Sequence, residues 1–340
     1  MQIRYTSKHF LIFLIALVQV LALSSCASAS AGRNGESFDS WLKAFRADAM
    51  RDGISAKTLD AAFEGVEPIP RVITLDRSQA EFKLTFPEYR DRIMPESRIR
   101  AATEKLAGNR AMFDELGARF GVQPNFLAAL WAVESNLGSN KGSFSAVASL
   151  ATLAYDGRRS VFFRKELMEV MRLIDRGYVR PESMRSSWAG AMGQMQFMPS
   201  TIKSYWFDYD NNGMLDIWDN PAEAIASAAN YLSKLGWNRD ETWGRIVTVP
   251  DGFDAHGKKG AKKTSAEWSR LGLRLADGSE LPANDPVSTL VVVDKGGPTC
   301  IVFENYRHIM SWNKSTFFAV AVGMFADRLA VSPARPEDAP

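Results

Sequence analysis

The chain has 340 residues, 46 % hydrophobic and 24 % charged, with a net charge of +2. That is enough chain for a substantial core, and the near-neutral balance gives no electrostatic footprint for nucleic acid. Only His9, His256 and His308 supply imidazole. His9 falls in a leader-like segment, so a Ser-His-Asp triad or a multi-histidine metal site is hard to build.

Arg4 and Lys8 precede an apolar run from Phe10 to Leu23, which closes on Leu23-Ser24-Ser25-Cys26. A basic start, a short apolar core and small residues describe a secretory signal over 1–25, too short for a comfortable membrane span. Cys26 after Leu-Ser-Ser resembles a lipobox cysteine, which would tether the protein to the outer membrane facing the periplasm. The alternative is ordinary cleavage within Ala27-Ser28-Ala29-Ser30-Ala31. Residues 26–36 are small and polar, suited to a tether, and 331–340 form a tail. With Cys26 lipidated, Cys300 stands alone and is expected to be a buried structural thiol.

From Phe38 the pattern is helical, with Phe38, Trp41, Leu42 and Phe45 on one face and prolines at 68, 70, 87 and 95 breaking it into short helices. Asn109 to Phe120 continues as helix, and Pro124 opens another after the break at Gly121. Residues 124–235 form the expected helical heart. There Asn220-Pro221-Ala222-Glu223 has an N-cap, a first-turn proline and a glutamate in the capping-box place, and Gly236 stops the helix that follows. Ile246–Val249 and Leu290–Val293 are β-like runs separated by Gly, Pro, Asp and Asn, and helix returns over Ser315–Leu329. The fold class is therefore mainly α (α+β): a helical domain over 37–245 and 304–330, interrupted by a small β-containing subdomain over 246–303.

Within this frame Glu134 stands out. It ends the apolar helix Phe126–Val133 just before Ser135-Asn136-Leu137-Gly138, where desolvation disfavours the charged form and so suits a general acid. The run Ala189–Ser200, with Met192, Gln194, Gln196 and Phe197, is rich in small residues and amide donors suited to a sugar groove. Arg158-Arg159 could dock an anionic lactyl or peptide carboxylate, or be only a solvated turn. Ser135 could be a helix-stop residue and Gln194 and Gln196 could cap a neighbouring helix. Phe197, Tyr231 and Trp312 could equally be core aromatics.

Asp208–Asp219 fits a twelve-residue calcium loop, with Asp208, Asp210, Asn212, Asp216 and Asp219 at oxygen-bearing positions. Gly213 takes the sharp turn, and Met214 would offer its carbonyl. Asp219 is shorter than the usual final glutamate. Structural Ca2+ is expected, and no organic cofactor.

Taken in order, Trp131–Gly138, Gly190–Ser200, Asp208–Asp219, Ala224–Leu232, Asn305-Tyr306-Arg307 and Trp312-Asn313-Lys314-Ser315 resemble the membrane-bound lytic murein transglycosylase B family. The resemblance covers about Phe38 to Leu329. It implies a goose-lysozyme-like catalytic core and a monomer acting on peptidoglycan glycan strands, touching membrane only through Cys26. It makes Glu134 the sole acid/base, yielding 1,6-anhydromuramyl ends from the MurNAc-β-1,4-GlcNAc bond. It also sets Ser135, Arg158, Arg159, Met192, Gln194, Gln196, Phe197, Tyr231 and Asn313 along the glycan groove. A water-using muramidase and a non-catalytic peptidoglycan-binding lipoprotein are the alternatives. One departure stands against the pattern: the family's C-terminal motif often reads Tyr-Asn-x-Ser with another tyrosine soon after, whereas this chain has Trp312 and Phe317-Phe318. Two hydroxyls that could position the acid or a sugar are then missing.

Overall fold

The computed structural model describes residues 35–78 and 84–330; the leader with Cys26 and the final ten residues lie outside them. Six helices build the N-terminal third: α1 (Phe38–Arg51), α2 (Ala56–Phe63), α3 (Pro70–Arg77), α4 (Phe86–Ile93), α5 (Glu96–Gly108) and α6 (Arg110–Phe120). The heart of the molecule adds α7 (Pro124–Ser135), α8 (Ala146–Asp156), α9 (Ser160–Asp175), α10 (Pro199–Tyr205) and α11 (Pro221–Lys234). Then come α12 (Ser265–Arg270), α13 (Glu304–Trp312) and α14 (Thr316–Ala330). The predominance of helix bears out the expected class.

Local chemistry sets these boundaries. Ser37, Ser55, Ser145 and Asn220 each accept a backbone N–H of the first turn through the side chain, and prolines occupy the first turns of α3, α7, α10 and α11. Helix α7 is the axis of the body. Phe126 through Ala132 are all buried, so it has no solvent face, and α5, α6, α11 and α14 surround it. Small residues on α14, among them Ala319, Ala321 and Ala326, sit in the same core, and Asn125 Nδ2 donates to Ala326 O across the two helices. The end of α7 is abrupt: Asn136, Leu137 and Gly138 have φ of 51°, 59° and 80°. Such a turn folds Leu137 N–H back onto Trp131 O and presents Glu134 in the last helical turn.

Seven strands accompany the helices among the described residues: β1 (Phe144–Ser145), β2 (Arg185–Ser186), β3 (Gly244–Thr248), β4 (Lys262–Lys263), β5 (Arg274–Leu275), β6 (Ser288–Val292) and β7 (Thr299–Val302). The last five form an antiparallel sheet in the order β4-β6-β7-β3-β5, with Ile246 opposite Cys300 and Leu290 opposite Ile301. Buried and half-buried residues alternate along β6, as one covered face demands. Val247, Trp268, Leu273, Leu281, Leu290 and Ile301 make a small separate core. Strand β3 begins two residues before the apolar run. A side chain at Gly244 would crowd Ile301 O at 2.6 Å, so glycine permits the pairing with Val302 there. Cys300 is buried, and burial pushes its thiol up to about 12, which keeps it unreactive.

The helical heart contains a non-helical stretch that periodicity did not show. Strands β1 and β2 pair, and Ser186–Met192 and Met192–Phe197 bridges fold the residues between β2 and α10 back on themselves. This folded run carries the glutamines.

Candidate active site and cation loop

Glu134 is half-buried, and its Oε1 accepts a 2.8 Å hydrogen bond from Trp312 Nε1. Trp312 is the last residue of α13, so the bond ties that helix to the end of α7 across 178 positions of sequence. The Trp312 ring packs against Phe197 at 4.9 Å and edge-on to Tyr231 at 5.0 Å. Tyr205 stands edge-on to Tyr231 behind them at 4.7 Å. Burial pushes the Tyr231 phenol up to about 12, so it keeps its proton near neutral pH. The carboxyl thus sits beside an aromatic wall in the last turn of α7.

Several residues expected to line the groove support it from beneath. Ser135 is 1 % exposed; its hydroxyl donates to Trp131 O at 3.3 Å and accepts from Gly138 N at 2.9 Å, which is the helix-stop role. Met192 is fully buried. Gln194, 3 % exposed, accepts from Trp131 Nε1 at 2.8 Å and donates to Trp218 O at 2.9 Å. That clamp joins α7 to the cation loop, and a Cβ at Gly138 would collide with the Gln194 side chain. All three are buried, Met192 by packing and Ser135 and Gln194 with internal hydrogen bonds, which places them beneath the groove. Gln196 is half-buried in a left-handed turn (φ 48°) and donates to Gly193 O. Phe197 and Tyr231 are 4 % and 8 % exposed, and Asn313 is exposed at the end of α13.

Arg158 and Arg159 follow α8 and share one buried partner, Asp76 on α3. Asp76 is 1 % exposed, while the two guanidinium groups remain roughly two-fifths exposed. The pair is thus a held doublet of partly exposed cations, not a loose basic turn. Asp76 itself carries no motif that a sequence search would flag.

The acidic loop takes the turn expected of it, with Gly213 at φ 74° and backbone N–H groups of Asn212 and Gly213 donating to Asp208. Its carboxylates gather differently. Asp208, Asp210 and Glu223 bring an oxygen each within 4.8 Å of one another. Asp219 instead pairs with Lys141 at 2.5 Å, and Asp216 caps the Asp219 N–H at 2.8 Å. Asp216 and Asp219, expected among the loop's ligands, stand outside that three-carboxylate cluster. Glu223 does not complete a capping box on Asn220 either: its Oε1 accepts from Trp206 Nε1 at 2.9 Å and Asp216 N at 2.7 Å. Its Oε2 is buried without a hydrogen-bond partner. Burial, opposed by those two bonds and aided by Asp208 and Asp210, raises the Glu223 carboxyl to about 7. A buried, unpartnered carboxylate oxygen facing two more carboxylates fits a hard divalent cation. The capping-box position concealed it in the sequence, since the same residue type serves both roles.

A separate cavity of about 930 Å³, lined by Asp240, Glu241, Arg245, Asp285 and Asp327, includes none of these residues. It lies toward the opposite end of α7, where Gln123 reaches Glu241 O.

The whole arrangement has relatives. The sequence matches the Transglycosylase SLT domain over residues 37–327, nearly all of the described chain. The chain belongs to the transglycosylase SLT family. Membrane-bound lytic murein transglycosylase B of Escherichia coli K12 is 30 % identical over 216 residues, spanning 63 % of this chain but only 58 % of that protein. SltB3 of Pseudomonas aeruginosa, solved with NAG-anhNAM-pentapeptide, superposes with a TM-score of 0.83 at 38 % identity, covering 90 % of this chain and 84 % of SltB3. The lytic transglycosylase Slt35 of Escherichia coli, solved in complex with calcium, shares the fold at 24 % identity with a TM-score of 0.72, covering 85 % of this chain and 92 % of Slt35. Among the described residues of this SLT-family chain no helix is long and apolar enough to cross a membrane.

Proposed function

We propose that this chain is a lytic peptidoglycan transglycosylase with Glu134 as its single acid/base. The observation that carries the reading is the half-buried Glu134 carboxyl, held by Trp312 against an aromatic wall in an SLT-family fold. SltB3 in complex with NAG-anhNAM-pentapeptide supports the substrate class and the anhydro product.

Protonated Glu134 donates to the oxygen linking MurNAc C1 to the next GlcNAc, and that bond breaks through an oxocarbenium-like state. The carboxylate left behind takes the proton from the C6 hydroxyl of the same muramyl residue. O6 closes on C1, giving a 1,6-anhydro end and restoring the acid with no water consumed. One carboxyl suffices because the nucleophile is internal. Arg158 and Arg159, held by Asp76, offer bidentate donors to a lactyl or stem-peptide carboxylate. Phe197, Tyr231, Gln196 and Asn313 border the groove.

Asp208, Asp210 and Glu223 would hold Ca2+, with the Asn212 side chain and the Met214 carbonyl as further loop oxygens. The ion would neutralise three converging carboxylates and brace the loop that Gln194 ties to α7. Cys26 remains the proposed lipid attachment point, facing the enzyme into the periplasm from the outer membrane. The sheet from Gly244 to Val302 is proposed as a subdomain inserted into the helical body. Mass spectrometry of the soluble products tests the reaction: an anhydro end is lighter by one water than the reducing end that a muramidase would leave.

A further inference from the structure

The three residues after Ser135 all stand in the left-handed region: Asn136, Leu137 and Gly138 have φ of 51°, 59° and 80°. Asparagine and glycine reach that region readily. A leucine beside them does so at a cost, because its Cβ crowds the backbone. Backbone of this kind persists only where its surroundings hold it. Part of the hold is local. Gly138 N–H returns to Ser135 Oγ and Asn140 N–H to Ser135 O. At the far end of the turn the Gln194 side chain fills the space that a Cβ on Gly138 would need. The near end is held from another helix: Arg98 Nε donates to Asn136 Oδ1 at 3.0 Å, and its Nη1 donates to Ile93 O.

Arg98 occupies an unfavourable place for a cation. It falls in the first turn of α5, where the helix dipole favours anions, and it is half-buried, which lowers its guanidinium from the ordinary value. Among the described residues no carboxylate forms an ion pair with it. Its partners are instead two helix ends. Ile93 is the last residue of α4 and Asn136 is the C-cap of α7. The rigid fork of a guanidinium can serve both acceptors at once. We infer that Arg98 is a positioning residue for Glu134, holding Asn136 left-handed and so fixing where α7 stops; this rests on the acid/base reading of Glu134 proposed above.

The effect reaches Glu134 through the end of its own helix. Leu137 N–H bonds back to Trp131 O, farther along the chain than any helical bond, and this requires the chain to reverse at Asn136. Were Asn136 to relax to right-handed values, that closure would open. The last turn of α7, which carries Glu134, would then be free to fray. Arg98 opposes the relaxation by fixing the Asn136 side chain against α4 and α5, elements that pack on the body independently of the turn.

The test compares Arg98→Met, Asn136→Gly, Asn136→Ala, the double variant Arg98→Met/Asn136→Gly and Glu134→Gln on soluble, un-crosslinked GlcNAc–MurNAc strands, with Tm measured for each. Arg98→Met keeps the apolar stem and removes both donors. Its kcat is expected to fall about tenfold with KM changed by less than about twofold, because misplacing the acid acts on the chemical step. Asn136→Gly is expected to keep kcat within about threefold, since glycine takes the left-handed conformation unaided. In the double variant the glycine should restore most of the turnover lost in Arg98→Met, while Tm stays lowered by the broken bond to Ile93. A purely structural Arg98 would lower Tm and leave the kcat of the folded enzyme alone. Unchanged kcat in folded Arg98→Met, or a double variant no faster than Arg98→Met, overturns the inference. If Arg98→Met does not fold, Asn136→Ala carries the test: its kcat is expected about tenfold below that of Asn136→Gly, and equal turnover overturns the inference. Retained turnover by Glu134→Gln would instead defeat the underlying reading.

Discussion

Two glutamates in this molecule each accept an indole N–H, and their surroundings suit them to different proposed tasks. Glu134 accepts from the Trp312 indole at 2.8 Å, and Glu223 accepts from the Trp206 indole at 2.9 Å. Glu134 is half-open beside an aromatic wall. Glu223 is fully buried, with Asp208 and Asp210 converging on it and one oxygen unpartnered. The proton exchange proposed for Glu134 needs access to substrate. A carboxyl meant for a cation needs other carboxylates and seclusion. Neighbours, not the residue type, separate the two roles.

The largest expected effect tests the first half of that contrast: Glu134→Gln should lower release of anhydromuropeptides by about a thousandfold, within the range for a lost general acid. Removing the ion addresses the other half. Thorough chelation should lower Tm by about 5 °C, more than it changes kcat, and Glu223→Gln should abolish most of that response. An unchanged Tm would count against a bound ion. The contrast also has a pH signature. In the ion-free protein, a Glu223 carboxyl raised to about 7 is protonated when folded but ionised when unfolded above about 4.5, so stability should fall as pH rises between those values. Calcium should flatten that slope, and its apparent affinity should weaken as pH drops below about 7.

Asp76→Ala should act more gently. It frees Arg158 and Arg159 from their shared anchor, and KM for stem-bearing strands should rise about three- to tenfold with kcat nearly unchanged. Calorimetry of Asp219→Ala closes the series: loss of an exposed pair with Lys141 should change stability by less than about 1 kcal/mol and leave the calcium response in place. A lost calcium response in that variant would return Asp219 to the ligand set.

Much of this was legible before any coordinates. The apolar helix ending at Glu134 and the capped start of α11 follow from short-range rules on caps, prolines and periodicity. So does the tight turn at Gly213. The fold-back between β2 and α10 was not, because two-residue strands and single bridges leave no periodic signal. Gln194 looked like a sugar donor because an amide in a glycine-rich run is chemically ambiguous. Only the position of Trp131 and Trp218 shows that its valences are spent internally.

The sequence by itself determined the helices, the carboxyl at the end of α7 and the acidic turn at Gly213, because each rests on residues within a turn or two of one another. The tertiary structure decided the partners. It gathered Glu223 rather than Asp219 with Asp208 and Asp210, gave both arginines to Asp76, and brought an indole from the end of α13 to Glu134. Those choices depend on which surfaces meet when distant segments pack, and on which buried polar atoms then lack water and must find one another.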